Sequence, residues 1–119
     1  MAPRFQLLGK KSDLISLRQG SLHYFDLNRC LAERLSYHGE LQIHHDGKGD
    51  VTVLVRPDFP AEPARAAEIL AREFGERQPG LAQELADWTW RALPTSDGDW
   101  VWSETGGKLI HVCLTAGVR

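Results

Sequence analysis

Apolar and polar positions along this chain repeat with two periods, and the changes of period mark out its elements. Leu27, Cys30, Leu31 and Leu35 recur at helical spacing. They share one face of a helix predicted over residues 25–35, with Gly39 as its expected stop. Leu41 and Ile43 then alternate with Gln42 and His44, and Val51, Val53 and Val55 alternate with Thr52. Joined by Asp46-Gly47-Lys48-Gly49-Asp50, the two runs predict a β-hairpin. Pro60 and Pro63 stand where a second helix should begin. Its apolar stripe is Ala66, Ile69, Leu70 and Phe74, and Gly75 can end it. Leu81, Leu85 and Trp88 predict a short third helix. Residues 90–93, 100–102 and 109–114 read as strands, with the turn Asp97-Gly98-Asp99 and a polar loop over 103–108 between them. Upstream, residues 5–8 and 14–17 predict two short strands around Lys10-Lys11-Ser12-Asp13. Gln19-Gly20-Ser21 breaks the second of them.

This order, with no internal repeat, predicts an α+β fold. A small antiparallel or mixed sheet carries two to three helices on one face and is preceded by a β-hairpin. The 119 residues suit a single domain over 1–119, with 1–20 forming the opening hairpin and 21–119 the body.

Composition narrows the class. Hydrophobic residues make up 42% and charged residues 25%, an ordinary globular mixture. A net charge of −2 lacks the basic excess of a dedicated nucleic-acid binder. No apolar run approaches the ~20 residues of a membrane span, and the first residues lack a signal-peptide core, so a cytoplasmic location is expected. Cys30 and Cys113 sit inside apolar patterns and read as buried, reduced thiols. Of the histidines, His44 and His45 are adjacent on a strand and point to opposite faces, so no metal site is expected. Trp88/Trp90 and Trp100/Trp102 have the spacing that places each pair on one strand face, a core arrangement. If exposed, such a pair would mark a docking surface.

Candidate chemistry centres on Thr105-Gly106-Gly107-Lys108. Two glycines allow close backbone approach to a ligand, and the lysine adds a compact cation suited to phosphate or a developing oxyanion. The pattern is not a P-loop, which would need glycine at Trp102 and Ser or Thr at Leu109. Taken alone, Gly-Gly-Lys between two strands also reads as an exposed turn.

The segment Gly9-Lys10-Lys11-Ser12-Asp13-Leu14-Ile15-Ser16-Leu17-Arg18 resembles the hinge motif of adenylate-forming enzymes. Ser21-Leu22-His23-Tyr24 and Gly39-Glu40-Leu41-Gln42-Ile43 are similar to the phenylacetate–CoA ligase branch. The Glu104-Thr105-Gly106-Gly107-Lys108 loop falls where that family carries its C-terminal lysine loop. The resemblance covers nearly the whole chain, and its motifs occur in the family's order.

The resemblance implies a small C-terminal lid domain, or a stand-alone subunit, of a ligase that activates a carboxylic acid with ATP. An acyl-adenylate forms first, and the acyl group then passes to CoA or a carrier thiol. It implies that Lys108 is catalytic, that Asp13 is the hinge residue, and that Arg18, Thr105, Gly106 and Gly107 face the nucleotide or domain interface. Gln19 and Gly20 would lie on the thiol-tunnel side. Gln19 stands where the family usually has glycine, and His111 where it usually has arginine. ATP and Mg²⁺ would be held through a large N-terminal adenylation domain, in cis or in trans. The chain alone is therefore expected to be inactive, because a lid lysine cannot supply substrate positioning. A carrier protein and a second copy of the chain are further expected partners. The alternative, from another class, is a non-catalytic module binding a small molecule or a protein, its motifs inherited but idle.

Overall fold

A computed structural model describes residues 13–18, 20–46, 48–104 and 107–114. In chain order the elements are β1 (Leu14–Leu17), β2 (Gly20–His23), α1 (Tyr24–Leu35), β3 (Leu41–His45), β4 (Val51–Val55), α2 (Pro63–Phe74), α3 (Leu81–Ala86), β5 (Thr89–Ala92) and β6 (Val112–Leu114). The fold is α+β. A two-stranded antiparallel sheet joins β1 to β2, and a four-stranded mixed sheet runs in the order β5-β4-β3-β6.

The β3–β4 hairpin is the centre of the larger sheet. Its strands pair antiparallel from Leu41↔Val55 to His45↔Val51. Its turn is organised by the Asp46 carboxylate, which accepts from the amides of Lys48 at 2.7 Å and Asp50 at 3.1 Å. These two donors hold the Asp46 carboxyl below its ordinary range. Both outer strands add in parallel, β6 beside β3 and β5 beside β4.

Because side chains alternate along a strand, the sheet has one helix-facing side. Leu41, Ile43, Val51, Val53 and Val55 lie on it, in one core with Leu27, Leu31, Leu70, Phe74, Leu81 and Leu85 from the helices. Ile15, Leu17 and Leu22 join the same core, so the small sheet is packed into the body. Both cysteines are buried, and burial raises the thiol pKa to about 11 at Cys30 and about 12 at Cys113. No helix among the described residues is long and apolar enough to cross a membrane.

The connection after β1 is fixed by a buried carboxylate. Glu84 on α3, 5% exposed, accepts the Arg18 backbone N–H at 2.7 Å, and the Arg18 Nε lies 3.9 Å from the same oxygen. Beneath the guanidinium is Gly49, at φ 108°, where an added Cβ would come within 2.2 Å of Arg18 Nε. Only glycine satisfies both that backbone angle and that contact.

Several sequence expectations need correction. The segment after Arg18 does not break the strand pattern: Gly20–His23 forms β2, paired from Leu17↔Gly20 to Leu14↔His23. One apolar residue, Leu22, was too little pattern to reveal it. Helix α1 ends before Gly39, at Ser36, which adopts φ 57°. The Ser36 and Tyr37 amides turn back to the carbonyls of Ala32 and Leu31. Trp88 lies beyond α3, while Trp90 is on β5 and packs against the core. The expected strand over 100–102 reduces to one bridge, Trp102↔Leu109, and the last strand shortens to Val112–Leu114. Trp100 is buried but Trp102 is 41% exposed, so these rings do not share a core face. The predicted strand over residues 5–8 lies outside the described residues.

Ser36 holds a left-handed conformation that glycine adopts without a Cβ penalty. Ser36→Gly is therefore expected to stabilise the fold by about 0.5–1 kcal/mol, read as a higher urea midpoint at unchanged slope.

Candidate functional site

The side of the sheet away from the helices is organised by Gln42. This β3 side chain is 0% exposed. Its Nε2 donates to the carbonyls of Val101 at 2.8 Å and Ile110 at 2.6 Å, and its Oε1 accepts from the Val101 N–H at 3.0 Å. One amide thus grips both arms of a narrow hairpin, residues 101–103 and 108–110. The hairpin is held further by Ile110 N–H to the Val101 carbonyl at 3.2 Å and by the Trp102↔Leu109 bridge.

Lys108 is at the far end of this hairpin. Its amide donates to Ser103 Oγ at 3.0 Å, and its carbonyl accepts from the Ser103 N–H at 2.7 Å. Its side chain is exposed, and Gly107 before it has φ 63°. The backbone under the cation is therefore fixed while the cation reaches solvent. Thr105 and Gly106 lie outside the described residues.

Asp13 meets the same hairpin at its other end. Its Oδ1 is 3.4 Å from Nδ1 of His111, three residues after Lys108. The His111 ring stacks on Tyr24 with centroids 4.3 Å apart and planes at 2°, and it meets Phe25 edge-on at 5.2 Å. Tyr24 is fixed in turn by donating its hydroxyl to the Leu41 carbonyl at 2.8 Å. Burial pushes the Tyr24 hydroxyl far above its ordinary pKa, so it stays a donor. The structure thus joins Asp13 to the segment that carries Lys108.

Arg18 and Gly20 are engaged elsewhere. Arg18 packs on Glu84 and Gly49, and Gln78 lies against Gly20, its Nε2 donating to the Ser21 carbonyl at 3.3 Å. Gln19 lies outside the described residues.

A second feature was not legible from motifs. His44, Asp50, Thr52, Leu54, Arg91 and Asp99 line a cleft of about 270 Å³. Register explains their meeting: His44 is opposite Thr52, and Leu54 is opposite Arg91. These side chains share the sheet side of Gln42. Arg91 reaches Asp99 at 2.8 Å.

Hydrogen bonding fixes the state of His44. Its Nε2 lies 2.7 Å from Gln42 Oε1. The Gln42 nitrogen already faces two carbonyls, so Oε1 is an acceptor and His44 Nε2 must donate to it. Burial lowers the His44 pKa, with Arg91 assisting and Asp99 opposing. The neutral ring then carries its hydrogen on Nε2 and presents Nδ1 as an acceptor. His45, facing the other way, is also lowered by burial. Among the described residues, no group of three or more His, Cys, Asp or Glu side chains could hold a metal ion.

Two outcomes are expected. Gln42→Leu removes the partner of the Val101 N–H and of the Ile110 carbonyl, both half-buried, a cost of about 3 kcal/mol. Amide exchange should accelerate at Val101, whose N–H loses its acceptor, more than in α1 or α2. His44 and His45 should titrate below 6.5 by NMR. Because the unfolded chain binds these protons at higher pH than the folded chain, stability should be full above pH 6.5. It should fall as pH drops from there toward the folded-state values, as denaturant midpoints would show. No protein-family model, curated protein or solved structure matches this chain.

Proposed function

We propose that this chain is the mobile C-terminal lid domain, or a stand-alone subunit, of an ATP-dependent ligase that activates carboxylic acids. The observation that carries the reading is the shared mount of its two motifs. Lys108 stands exposed on a hairpin clasped by Gln42, and Asp13 touches that segment through His111. A catalytic cation needs a rigid base and a free tip, and this arrangement supplies both. In the reaction, carboxylate attack on the α-phosphate brings two anionic groups together. An ammonium group between them lowers their repulsion.

In this reading the large adenylation domain holds ATP, Mg²⁺ and the acid, with CoA or a carrier thiol as acceptor. A cytoplasmic location belongs to the same reading. A second reading, a non-catalytic module that binds a small molecule, is favoured by the cleft around His44.

Complementation separates the two. The chain is mixed with a candidate large domain, and pyrophosphate release is followed with the acid and ATP. Adenylation should require both polypeptides, and Lys108→Ala should lower its rate by about a hundredfold. Equal rates for wild type and variant would remove Lys108 from the chemistry.

A further inference from the structure

We propose that the cleft on the helix-free side of the sheet is a binding site for a small organic ammonium ion, held by Asp50, His44 and Thr52. This inference does not depend on the ligase reading.

The charge balance selects the sign of the ligand. Two carboxylates, Asp50 and Asp99, face one guanidinium, Arg91, around the cleft. Asp99 is engaged by Arg91 at 2.8 Å. The Asp50 carboxylate makes no hydrogen bond or ion pair with another described residue. One negative charge therefore remains on the wall.

Hydrogen-bonding capacity selects its type. With Nε2–H committed to Gln42, His44 has only an acceptor, Nδ1, left for the cleft. Thr52 adds a hydroxyl, half-buried in the strand opposite His44. A primary ammonium carries three N–H donors on one compact charge, which these three acceptors match. A carboxylate or phosphate would meet Arg91 alone and be repelled by Asp50. A divalent metal lacks a sufficient donor set, since no group of three His, Cys, Asp or Glu is assembled among the described residues. Leu54, buried beneath the cleft, closes its floor. A volume of about 270 Å³ restricts the ligand to metabolite size.

Two of the three acceptor residues are also held in place. His44 and Thr52 are paired strand residues, and the His44 ring is tied to an amide that is itself fully bonded. At these two positions little ordering is left to accompany binding, while the exposed Asp50 side chain supplies the charge.

The test titrates the full chain with n-propylammonium chloride, following backbone amides by NMR at neutral pH. Sodium propionate and sodium chloride at matched ionic strength are the comparisons. Propylammonium should give saturable shifts at His44, Asp50, Thr52 and Arg91 with a Kd of about 1–10 mM. Asp50→Asn should weaken binding about fivefold, and Thr52→Val, which retains the strand, should weaken it in the same direction. Asp26→Asn, a carboxylate on α1 outside the cleft, should leave the Kd unchanged. Bound ligand should also lower the His44 pKa further, because a proton on Nδ1 competes with the ammonium; the charged groups sharing its surroundings are Asp50, Asp99 and Arg91. The proposal is overturned if propylammonium acts no differently from sodium chloride, if propionate saturates the same residues, or if both cleft variants bind with unchanged Kd.

Discussion

The arrangement of this molecule's working surface rests on one buried amide. Gln42 has no exposure, and its four hydrogen-bond contacts match what a primary amide can supply on that side of the sheet. A buried polar side chain is tolerated only when it is fully bonded. Here that requirement produces order in two directions. Toward the chain's end it fixes the hairpin that carries Lys108. Along its own strand it orients the His44 ring and sets which nitrogen bears hydrogen. The lysine hairpin and the cleft, which have no motif in common, therefore share a single structural dependence.

The helix-facing half of the fold was legible because it follows simple periods. Leu27, Cys30 and Leu31 made α1 readable, Ala66, Leu70 and Phe74 made α2 readable, and alternating valines made β4 readable; all are buried. What pattern reading missed lies where tertiary contacts replace periodicity. Gln42 and His44 are the polar positions of the alternating β3 pattern, but residues 100–103 and 108–111 fold over that side. Trp100, Val101 and Ile110 were the available signal, since a loop so apolar needs something to cover. The short β2 was hidden because a strand with one apolar residue is specified by its partner, β1, more than by its own composition. Glu84 gave no signal at all, because its role depends on Arg18, 66 positions away in sequence.

The candidate site was legible in part. Lys108 and Asp13 could be named from motifs, and they fall on one connected stretch through His111. Arg18 could be named too, but its partners, Glu84 and Gly49, give it a structural duty at the junction of β1, α3 and the β3–β4 turn. Motif reading assigns residue types to places in a chain. It does not reveal which of them the fold has already engaged.

That engagement at Arg18 constrains motion. Ile15 and Leu17 are core residues, and the Arg18 amide satisfies a carboxylate almost sealed from water. Peeling β1 away would hydrate three large side chains, Leu22 included, and break the bond from the Arg18 amide to the buried Glu84 carboxylate. The strand pair β1–β2 is therefore bound to the body of the fold. Whatever displaces Leu14–His23 must carry the core with it, and through Asp13 and His111 the segment that bears Lys108 as well.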